Sequence, residues 1–248
     1  MMWQADLHVH TDASDDGLSS LAEQAAAARA AGLDAIAVAD HNLCTPTPQR
    51  LNGVLMIPAC EVSTRAGHIL GLFLKESLDL AALRAEGLPA GEAAVAEIRA
   101  RGGLAVLAHP FQRASADPAR FPADLDGVEG ANARATFHNP GANGQAQALA
   151  EARGLPAVGG SDAHSRHEVG NARTLIDAPE LTLEALEEAV RAGRCRPLLV
   201  RSTPRFRKGL SQVGKARKAG AGPAAVGKKL LYLGGCVLLD AVQPQNRN

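Results

Sequence analysis

Histidines and carboxylates recur along this chain at the points where short apolar runs end. Six of the eight histidines follow such a run or lie within one: His8, His10, His41, His68, His109 and His164. Carboxylates accompany them, as in Asp40-His41 and Asp162-Ala-His164. Imidazole nitrogens and carboxylate oxygens are ligands for divalent metals such as zinc, manganese and iron. The pattern therefore predicts a metal site.

The spacing of these residues supports the same chemistry. Side chains two residues apart on a strand point to the same side, so His8 and His10 can bind one metal together. Asp162 and His164 have the same spacing. One such pair is a weak signal, but two pairs together with Glu61 favour ligands over hydrogen-bonded core histidines.

The elements that must position these residues alternate between short apolar runs and Ala-rich amphipathic stretches. This alternation predicts parallel βαβ units. Predicted strands cover residues 5–9, 34–39, 54–62, 68–74, 104–108, 126–131 and 156–160. Predicted helices cover residues 18–32, 78–101 with a break near 89–91, 144–153 and 183–192. A barrel related to the TIM architecture is the leading fold, with a doubly wound open sheet second. In such a barrel the carboxyl ends of the strands converge on one face.

Composition narrows the class of protein. The 248 residues suffice for one large domain with or without an appendage. Hydrophobic residues make up 46% and charged residues 21%, which excludes a wholly disordered chain. The sequence shows neither a membrane-spanning apolar run nor a signal peptide, and its four cysteines form no CxxC pair. We therefore expect a cytoplasmic protein without a disulfide framework.

The charge is divided unevenly between two parts of the chain. Residues 1–200 hold 16 Lys and Arg against 25 Asp and Glu, whereas residues 201–248 hold 10 against the single Asp240. We expect 201–248 to be a Gly- and Pro-containing basic extension, either flexible or packed on the barrel. A chain truncated after Val200 is expected to keep its activity towards small substrates. An arm for polyanionic substrate and a membrane-surface anchor are the alternatives.

A set of motifs in a fixed order carries a resemblance to a known family. The strings DLHVHTDASDDG, ADHN, CEVS, GHILGLFL, AHPF and GGSDAHS resemble the PHP (polymerase and histidinol phosphatase) domain of metal-dependent phosphoesterases over residues 6–197. The resemblance implies an α/β fold, a distorted TIM-like (β/α)7 barrel, with two or three metals at the carboxyl ends of the strands. It is closer to the branch with nucleoside-phosphate and oligonucleotide phosphoesterases than to histidinol phosphatase.

Residue by residue, the resemblance implies three neighbouring metal positions. The first takes His8, His10, Glu61 and Asp162, the second Asp15, His41 and His164, and the third Glu61, His68 and His109. Asp15 is preferred to Asp12 and Asp16 because it lies five residues after His10, as in the family's HxHxxxxD spacing. The implied cofactors are two or three divalent ions, and the sequence does not distinguish manganese, iron and zinc.

The resemblance implies hydrolysis by a metal-activated water, with Asp15, His41 and His164 at the catalytic centre. Arg113 and Arg166 are the preferred phosphate-binding guanidinium groups, and ordinary surface positions are the alternative for each. Weaker candidates are His167 as a general acid, Asn42 and Asn132 as residues that orient ligands, and Asp6, which either supports a ligand or ties down loop backbone.

The predicted function is hydrolysis of small phosphate esters, such as a nucleotide or sugar phosphate. The alternative is a 5′–3′ exonuclease or oligonucleotidase acting on short RNA or DNA. A non-catalytic metal-binding module is disfavoured by the complete ligand set. A C–N hydrolase is disfavoured because Lys75, the only lysine among the first 200 residues, follows the wrong motif to carry a metal-bridging carbamate. The sequence does not identify a protein partner.

Overall fold

The computed structural model describes residues 1–113 and 115–243, so the last five residues of the predicted extension lie outside the described ranges. Ten strands of the described residues form one sheet. They are β1 Met2–Val9, β2 Ala35–Val38, β3 Arg50–Leu51, β4 Val54–Thr64, β5 Gly67–Leu72, β6 Leu104–Leu107, β7 Gly127–Asn132, β8 Ala157–Gly160, β9 Ala172–Asp177 and β10 Cys195–Leu199. Their order is β10-β9-β1-β2-β4-β5-β6-β7-β8, with β3 paired to β4.

The sheet curls until its two ends meet. The hydroxyl of Thr174 on β9 accepts a hydrogen bond from the Gly159 amide of β8 at 2.8 Å and donates one to the Gly159 carbonyl at 2.8 Å. A Cβ atom on Gly159 would lie 2.4 Å from the Arg173 carbonyl oxygen, so only glycine permits this approach. The structure therefore confirms the predicted α/β fold with a barrel-shaped sheet.

The pairing of the strands departs from the prediction of uniformly parallel βαβ units. Strands β1, β2 and β4 are parallel, as are β6, β7 and β8. Strand β5, however, is antiparallel to both neighbours, and β9 is antiparallel to β1 and β10. The two residues between β4 and β5 allow only a hairpin, because a parallel connection needs a dozen or more residues. Strands β3, β9 and β10 were not predicted.

Seven helices cover or extend the barrel within the described residues. They are α1 Leu21–Ala30, α2 Leu80–Leu83, α3 Gly91–Ala100, α4 Ala142–Arg153, α5 Leu183–Arg191, α6 Arg205–Lys218 and α7 Pro223–Val242. Helix α1 begins with a reciprocal cap, in which Ser20 accepts from the Glu23 amide and Glu23 accepts from the Ser20 amide. Helix α5 closes the main core of the barrel with Leu186 and Val190. None of these helices is long and apolar enough to cross a membrane.

A β-bulge in β1 decides which side chains enter the barrel. Its register with β2 shifts between Asp6 and Val9, which places one extra residue in β1. Ala5 and Leu7 pack in the main core, whereas Val9 packs outside against α1. His8 and His10 alternate with Val9, so the bulge places both imidazoles on the inner side.

The described part of the basic extension forms a helical hairpin that packs on the barrel. The Asp240 carboxylate near the end of α7 accepts hydrogen bonds from the Arg205 and Phe206 amides, which caps the start of α6. At the helix crossing, a Cβ atom on Gly209 would lie 2.8 Å from Leu233 Cδ1. Helix α6 faces the barrel, and α7 packs on α6.

Candidate metal centre

The ends of several strands bring the predicted ligands to one place. His8 and His10 lie on and just after β1, Glu61 on β4 and His68 on β5. The other ligands follow β2, β6 and β8: His41, His109, Asp162 and His164. His8, His10 and Glu61 are fully buried. Four overlapping groups of these residues place their ligand atoms within 4.8 Å of one another, close enough to hold a metal ion.

Glu61 is the centre of this arrangement. Its Oε2 atom lies 3.3 Å from His8 Nε2 and 3.4 Å from His10 Nε2. Its Oε1 atom lies 2.7 Å from His68 Nδ1 and 3.0 Å from His109 Nε2. One carboxylate therefore faces two separate imidazole pairs, which is the geometry of a bridging ligand.

Asp162 and His164 lie close to His10 and belong to the same cluster. Asp162 Oδ1 lies 3.4 Å from His10 Nε2 and 3.9 Å from His8 Nε2. The rings of His10 and His164 have centroids 4.2 Å apart, and those of His10 and His41 4.5 Å apart. His41 and His164 thus form a further ligand group with His10.

The structure brings Asp16, rather than Asp15, to this group. Asp16 is buried, with Oδ1 3.2 Å from His164 Nε2 and Oδ2 3.7 Å from His41 Nε2. The Asp15 side chain is 56% exposed and forms an ion pair with Lys215 at 2.9 Å. The loop turns tightly here, since the Ser14 amide donates to the Thr11 carbonyl. That turn directs the sixth residue after His10 inward.

The donor atoms of the cluster fit divalent ions. His41 Nδ1 and Glu61 Oε2 lie 2.8 Å apart, yet both are buried without a hydrogen-bond partner. His10 Nδ1 is also buried and unpartnered, and His8 Nε2 lies 3.1 Å from His10 Nε2. Buried polar atoms normally have partners, so donor atoms that converge without one fit a bound cation.

The electrostatics favour the metal-binding forms of Glu61 and His10, but not of every imidazole in the cluster. Burial alone would raise the pKa of Glu61, but the imidazoles of His41, His68 and His8 outweigh it and hold that pKa well below its usual value. Burial, together with the neighbouring His164 and His41, lowers the pKa of His10 well below that of a free imidazole. A carboxylate and a neutral imidazole are the forms that bind metal. Burial alone would lower the pKa of His41, but the Glu61 carboxylate outweighs it and raises that pKa to about 9. Nearby carboxylates likewise outweigh burial and raise the pKa values of His8 and His109.

Strained backbone occurs at the same loops. Asn42, His109 and Asp162 have φ angles of 51°, 28° and 55°, in the left-handed region that non-glycine residues seldom occupy. Such conformations cost free energy and cluster at functional sites. His109 and Asp162 each lie two residues after the end of a strand, and Asn42 follows His41 directly.

Glu129 on β7 is a buried residue of the site that the sequence analysis did not single out. Its Oε1 atom lies 2.9 Å from His8 Nδ1, and its Oε2 atom accepts from the His109 amide at 2.8 Å. Carboxylates often fix the orientation of ligating histidines in this way. An acidic residue within the predicted strand 126–131, away from its ends, was the available signal. Gly160 makes room, since its Cβ atom would lie 2.9 Å from Glu129 Oε1.

The weaker candidates have distinct places. The Asp6 carboxylate accepts from the Ser161 and Gly170 amides and ties down loop backbone. Burial, partly offset by these hydrogen bonds, raises its pKa to about 6. Asn132 donates to Glu129 at 2.9 Å, and Asn42 accepts from the Ser63 amide at 3.0 Å. His167 lies on the surface.

Of the two arginines preferred as phosphate-binding groups, only Arg113 lies at the cleft. Arg113 lines a cleft of about 310 Å³ above the cluster. Arg166 instead forms an exposed ion pair with Glu23 of α1 at 3.0 Å and is not brought to the cleft. The cleft also receives the buried Arg134 and two lysines of α6, Lys208 and Lys215. The two lysines were not predicted as substrate residues, and Arg134 was considered from its place near a metal motif but not preferred.

Comparisons with known proteins agree with the barrel and its motifs. A family model for the PHP domain matches residues 6–86, and one described as PHP-associated matches residues 140–195. The uncharacterized protein MJ1587 of Methanocaldococcus jannaschii is 31% identical over 156 residues, which cover 56% of this chain and 85% of that protein.

Solved structures share the fold at lower identity. A two-domain protein from Bacteroides vulgatus, containing a predicted PHP-like metal-dependent phosphoesterase, has a TM-score of 0.58 at 21% identity over 80% of this chain and 65% of its own. The lesion-specific endonuclease PfuEndoQ from Pyrococcus furiosus also has a TM-score of 0.58 at 21% identity, over 83% and 60%. A further match is an endonuclease Q complex with a 27-mer duplex substrate. The chain thus spans about two thirds or less of these structures.

Proposed function

Because this chain belongs to the PHP family, we propose that it is a metal-dependent phosphoesterase that hydrolyses small phosphate esters, such as nucleotide or sugar phosphates. The observation that carries the proposal is Glu61, whose two oxygens face separate imidazole pairs while Oε2 has no hydrogen-bond donor. A carboxylate placed in this way suits a centre with more than one ion.

The proposed ligand set follows the three implied positions with one change. His8, His10, Glu61 and Asp162 would hold the first ion, and Glu61, His68 and His109 the third. For the second ion we propose Asp16 with His41 and His164, since Asp16 is the carboxylate that faces them. Manganese, iron and zinc all accept such nitrogen and oxygen ligands.

Divalent ions held there would activate a water for attack on phosphorus and neutralise the phosphate oxygens. The chain's own residues set the geometry for this chemistry. Glu129 and Asn132 hold His8 and the loop after β6 in place. Arg113 and Arg134 lie at the cleft, where guanidinium groups can hydrogen-bond phosphate oxygens.

A small substrate suits the distribution of charge. The barrel residues are strongly acidic, and a long nucleic acid would need an extended basic surface beside the site. The positive side chains at the cleft are few and close to the ligand cluster. We also propose a cytoplasmic location, where the four free cysteines stay reduced.

A nuclease acting on short oligonucleotides is the second candidate. It is favoured by the structural likeness to endonuclease Q, which was solved with a DNA duplex substrate. The basic residues of the extension that reach the cleft also favour a polyanion. The same hydrolytic chemistry would serve both substrates.

Phosphate release by the manganese-reconstituted protein tests the proposal. The substrates are a mononucleotide, an aryl phosphate and a short 5′-phosphorylated oligonucleotide, each with and without chelator. Chelator-sensitive turnover of the monoesters supports the small-ester phosphatase. Preferential conversion of the oligonucleotide to mononucleotides supports the nuclease instead. Absence of hydrolysis with all three would contradict both.

A further inference from the structure

Positively charged side chains line the cleft together with the ligand cluster. The four cationic residues that line it are Arg113, Arg134, Lys208 and Lys215. Two of them belong to α6, beyond the residues 6–86 and 140–195 that the family models match. The C-terminal extension therefore contributes directly to the walls of the candidate site.

Arg134 holds a buried nitrogen that lacks a partner. Its Nε donates to Glu168 at 2.7 Å, and its Nη1 donates to the Ser211 hydroxyl of α6 at 3.3 Å. The residue is only 5% exposed, and its Nη2 atom is buried without a hydrogen-bond partner. A buried donor without an acceptor is costly. An acceptor in the cleft would satisfy it.

Lys208 lies close to this guanidinium without a described carboxylate partner. Its Nζ is 5.2 Å from the centre of the Phe137 ring, and the side chain is half-buried. Burial lowers the pKa of Lys208; Asp162 opposes this effect, while Arg134 and Arg113 add to it. Cations held together in a partly desolvated cleft repel one another, so a bound anion would relieve a real cost.

Helix α6 is fixed firmly enough to place Lys208. The Lys218 ammonium donates to the carbonyls of Asp12, Ser14 and Gly17 at 2.7, 2.8 and 2.7 Å. A Cβ atom on Gly214 would lie 2.4 Å from Leu18 Cδ2, so the helix packs directly on the same loop. This is the loop that carries Asp16.

We propose that Lys208 and the Nη2 of Arg134 bind the dianionic terminal phosphate of the substrate, so that α6 completes the substrate site. This inference rests on the proposed phosphoesterase function and narrows its substrate to compounds with a phosphomonoester group. That group occurs both on small metabolites and at the 5′ end of an oligonucleotide. Two cations match the double negative charge of a monoester better than the single charge of a diester.

The test compares Lys208→Gln with Lys208→Arg and with Lys228→Gln in the full chain. Lys228 is exposed on α7 and provides the same charge change away from the cleft. With a mononucleotide, Lys208→Gln should raise KM by roughly tenfold to a hundredfold, the range for a lost hydrogen bond to a charged group. Lys208→Arg should recover most of the affinity, and Lys228→Gln should match the wild type.

Binding of inorganic phosphate, measured by calorimetry in the presence of chelator, provides a readout independent of turnover. Lys208→Gln should bind phosphate more weakly than the wild type and Lys228→Gln. If the wild type hydrolyses no ester but binds phosphate through Lys208, the proposed function is contradicted, while the assignment of Lys208 to a phosphate group is supported. If Lys208→Gln matches the wild type in both measurements, or if no variant binds phosphate, the inference is overturned.

A further arm distinguishes the two sources of the phosphate. A short oligonucleotide is compared with and without its 5′-phosphate. If Lys208→Gln raises the KM only for the phosphorylated oligonucleotide, Lys208 binds the terminal phosphate of a nucleic acid. Equal dependence for the form without a terminal phosphate would contradict the assignment to a phosphomonoester.

Discussion

The barrel and the C-terminal hairpin differ in charge, in burial and in what they bring to the cleft. Residues 1–200 are acidic and hold every proposed metal ligand, whereas residues 201–248 are basic, with Asp240 as the only carboxylate. The barrel buries most of its large apolar side chains, while α7 leaves Leu231 80% and Leu238 68% exposed. The two regions nevertheless meet at one cleft. The barrel lines it with carboxylates, imidazoles and two arginines, and the hairpin adds two lysines.

This difference suggests a division of labour. A site rich in carboxylates attracts divalent cations but repels a phosphate ester. The lysines of α6 supply positive charge to the lining of the cleft, to which the barrel contributes Arg113 and Arg134. Substitutions in the barrel and removal of the hairpin test the two contributions separately.

The largest effect is expected from Glu61→Gln. The amide cannot bridge two ions as a carboxylate does, so phosphate release should fall by more than about 1,000-fold, the upper end for loss of one transition-state stabiliser. Glu76→Gln, at an exposed residue away from the cluster, is the matched control. Phosphate release by Glu61→Gln at a rate near that of the wild type would contradict the proposed role of the barrel in holding the metal ions.

A smaller but decisive contrast is expected between Asp16→Asn and Asp15→Asn. Asp16 faces His41 and His164, so its replacement should lower kcat/KM by roughly 100-fold, as for groups that support a metal site. Asp15 forms only an exposed pair with Lys215, so its variant should stay within about threefold of the wild type. The reverse order of effects would restore Asp15 as the ligand.

Truncation after Val200 tests the hairpin as a whole. The sequence predicts that small-ester turnover survives this truncation. From the structure we propose the opposite, because the truncated chain lacks Lys208, the Ser211 contact to Arg134 and the Lys218 anchor. We expect kcat/KM to fall roughly tenfold to a hundredfold. A chain ending at Gln243 is the control, and circular dichroism checks that the barrel still folds. Unchanged turnover would make the hairpin incidental.

The smallest effects are expected for the two arginines nominated from sequence. Arg113→Gln, at the rim of the cleft, should raise KM about fivefold, which is typical of one partly exposed charge. Arg166→Gln should change KM by less than about twofold, because Arg166 pairs with Glu23 on the surface. Steady-state kinetics on both variants measures the difference. A larger effect at Arg166 would contradict its placement.

Much of this division could be predicted from the sequence for physical reasons. Strand ends converge in a barrel, so histidines that follow apolar runs were expected to meet, and they do. The choice between Asp15 and Asp16 could not be predicted in the same way. It depends on hydrogen bonds within the loop, such as that from the Asp12 amide to the Ser19 carbonyl.

The hairpin was harder to predict because its glycines resemble helix breakers. Gly209 and Gly214 instead lie inside α6, where Leu233 and Leu18 approach too closely for a side chain. That reason exists only in three dimensions. Glu129 was missed for a related reason, since its role follows from contacts to His8 and to the loop after β6, both distant in sequence.

The central claim is that the barrel binds more than one divalent ion through Glu61. Its most direct test is the amount of manganese bound per chain, measured by elemental analysis after gel filtration, for the wild type and Glu61→Gln. We predict two or more ions per wild-type chain and a clear loss in the variant. A wild-type chain that binds no manganese, iron or zinc, or a variant that binds as many ions as the wild type, would contradict the claim.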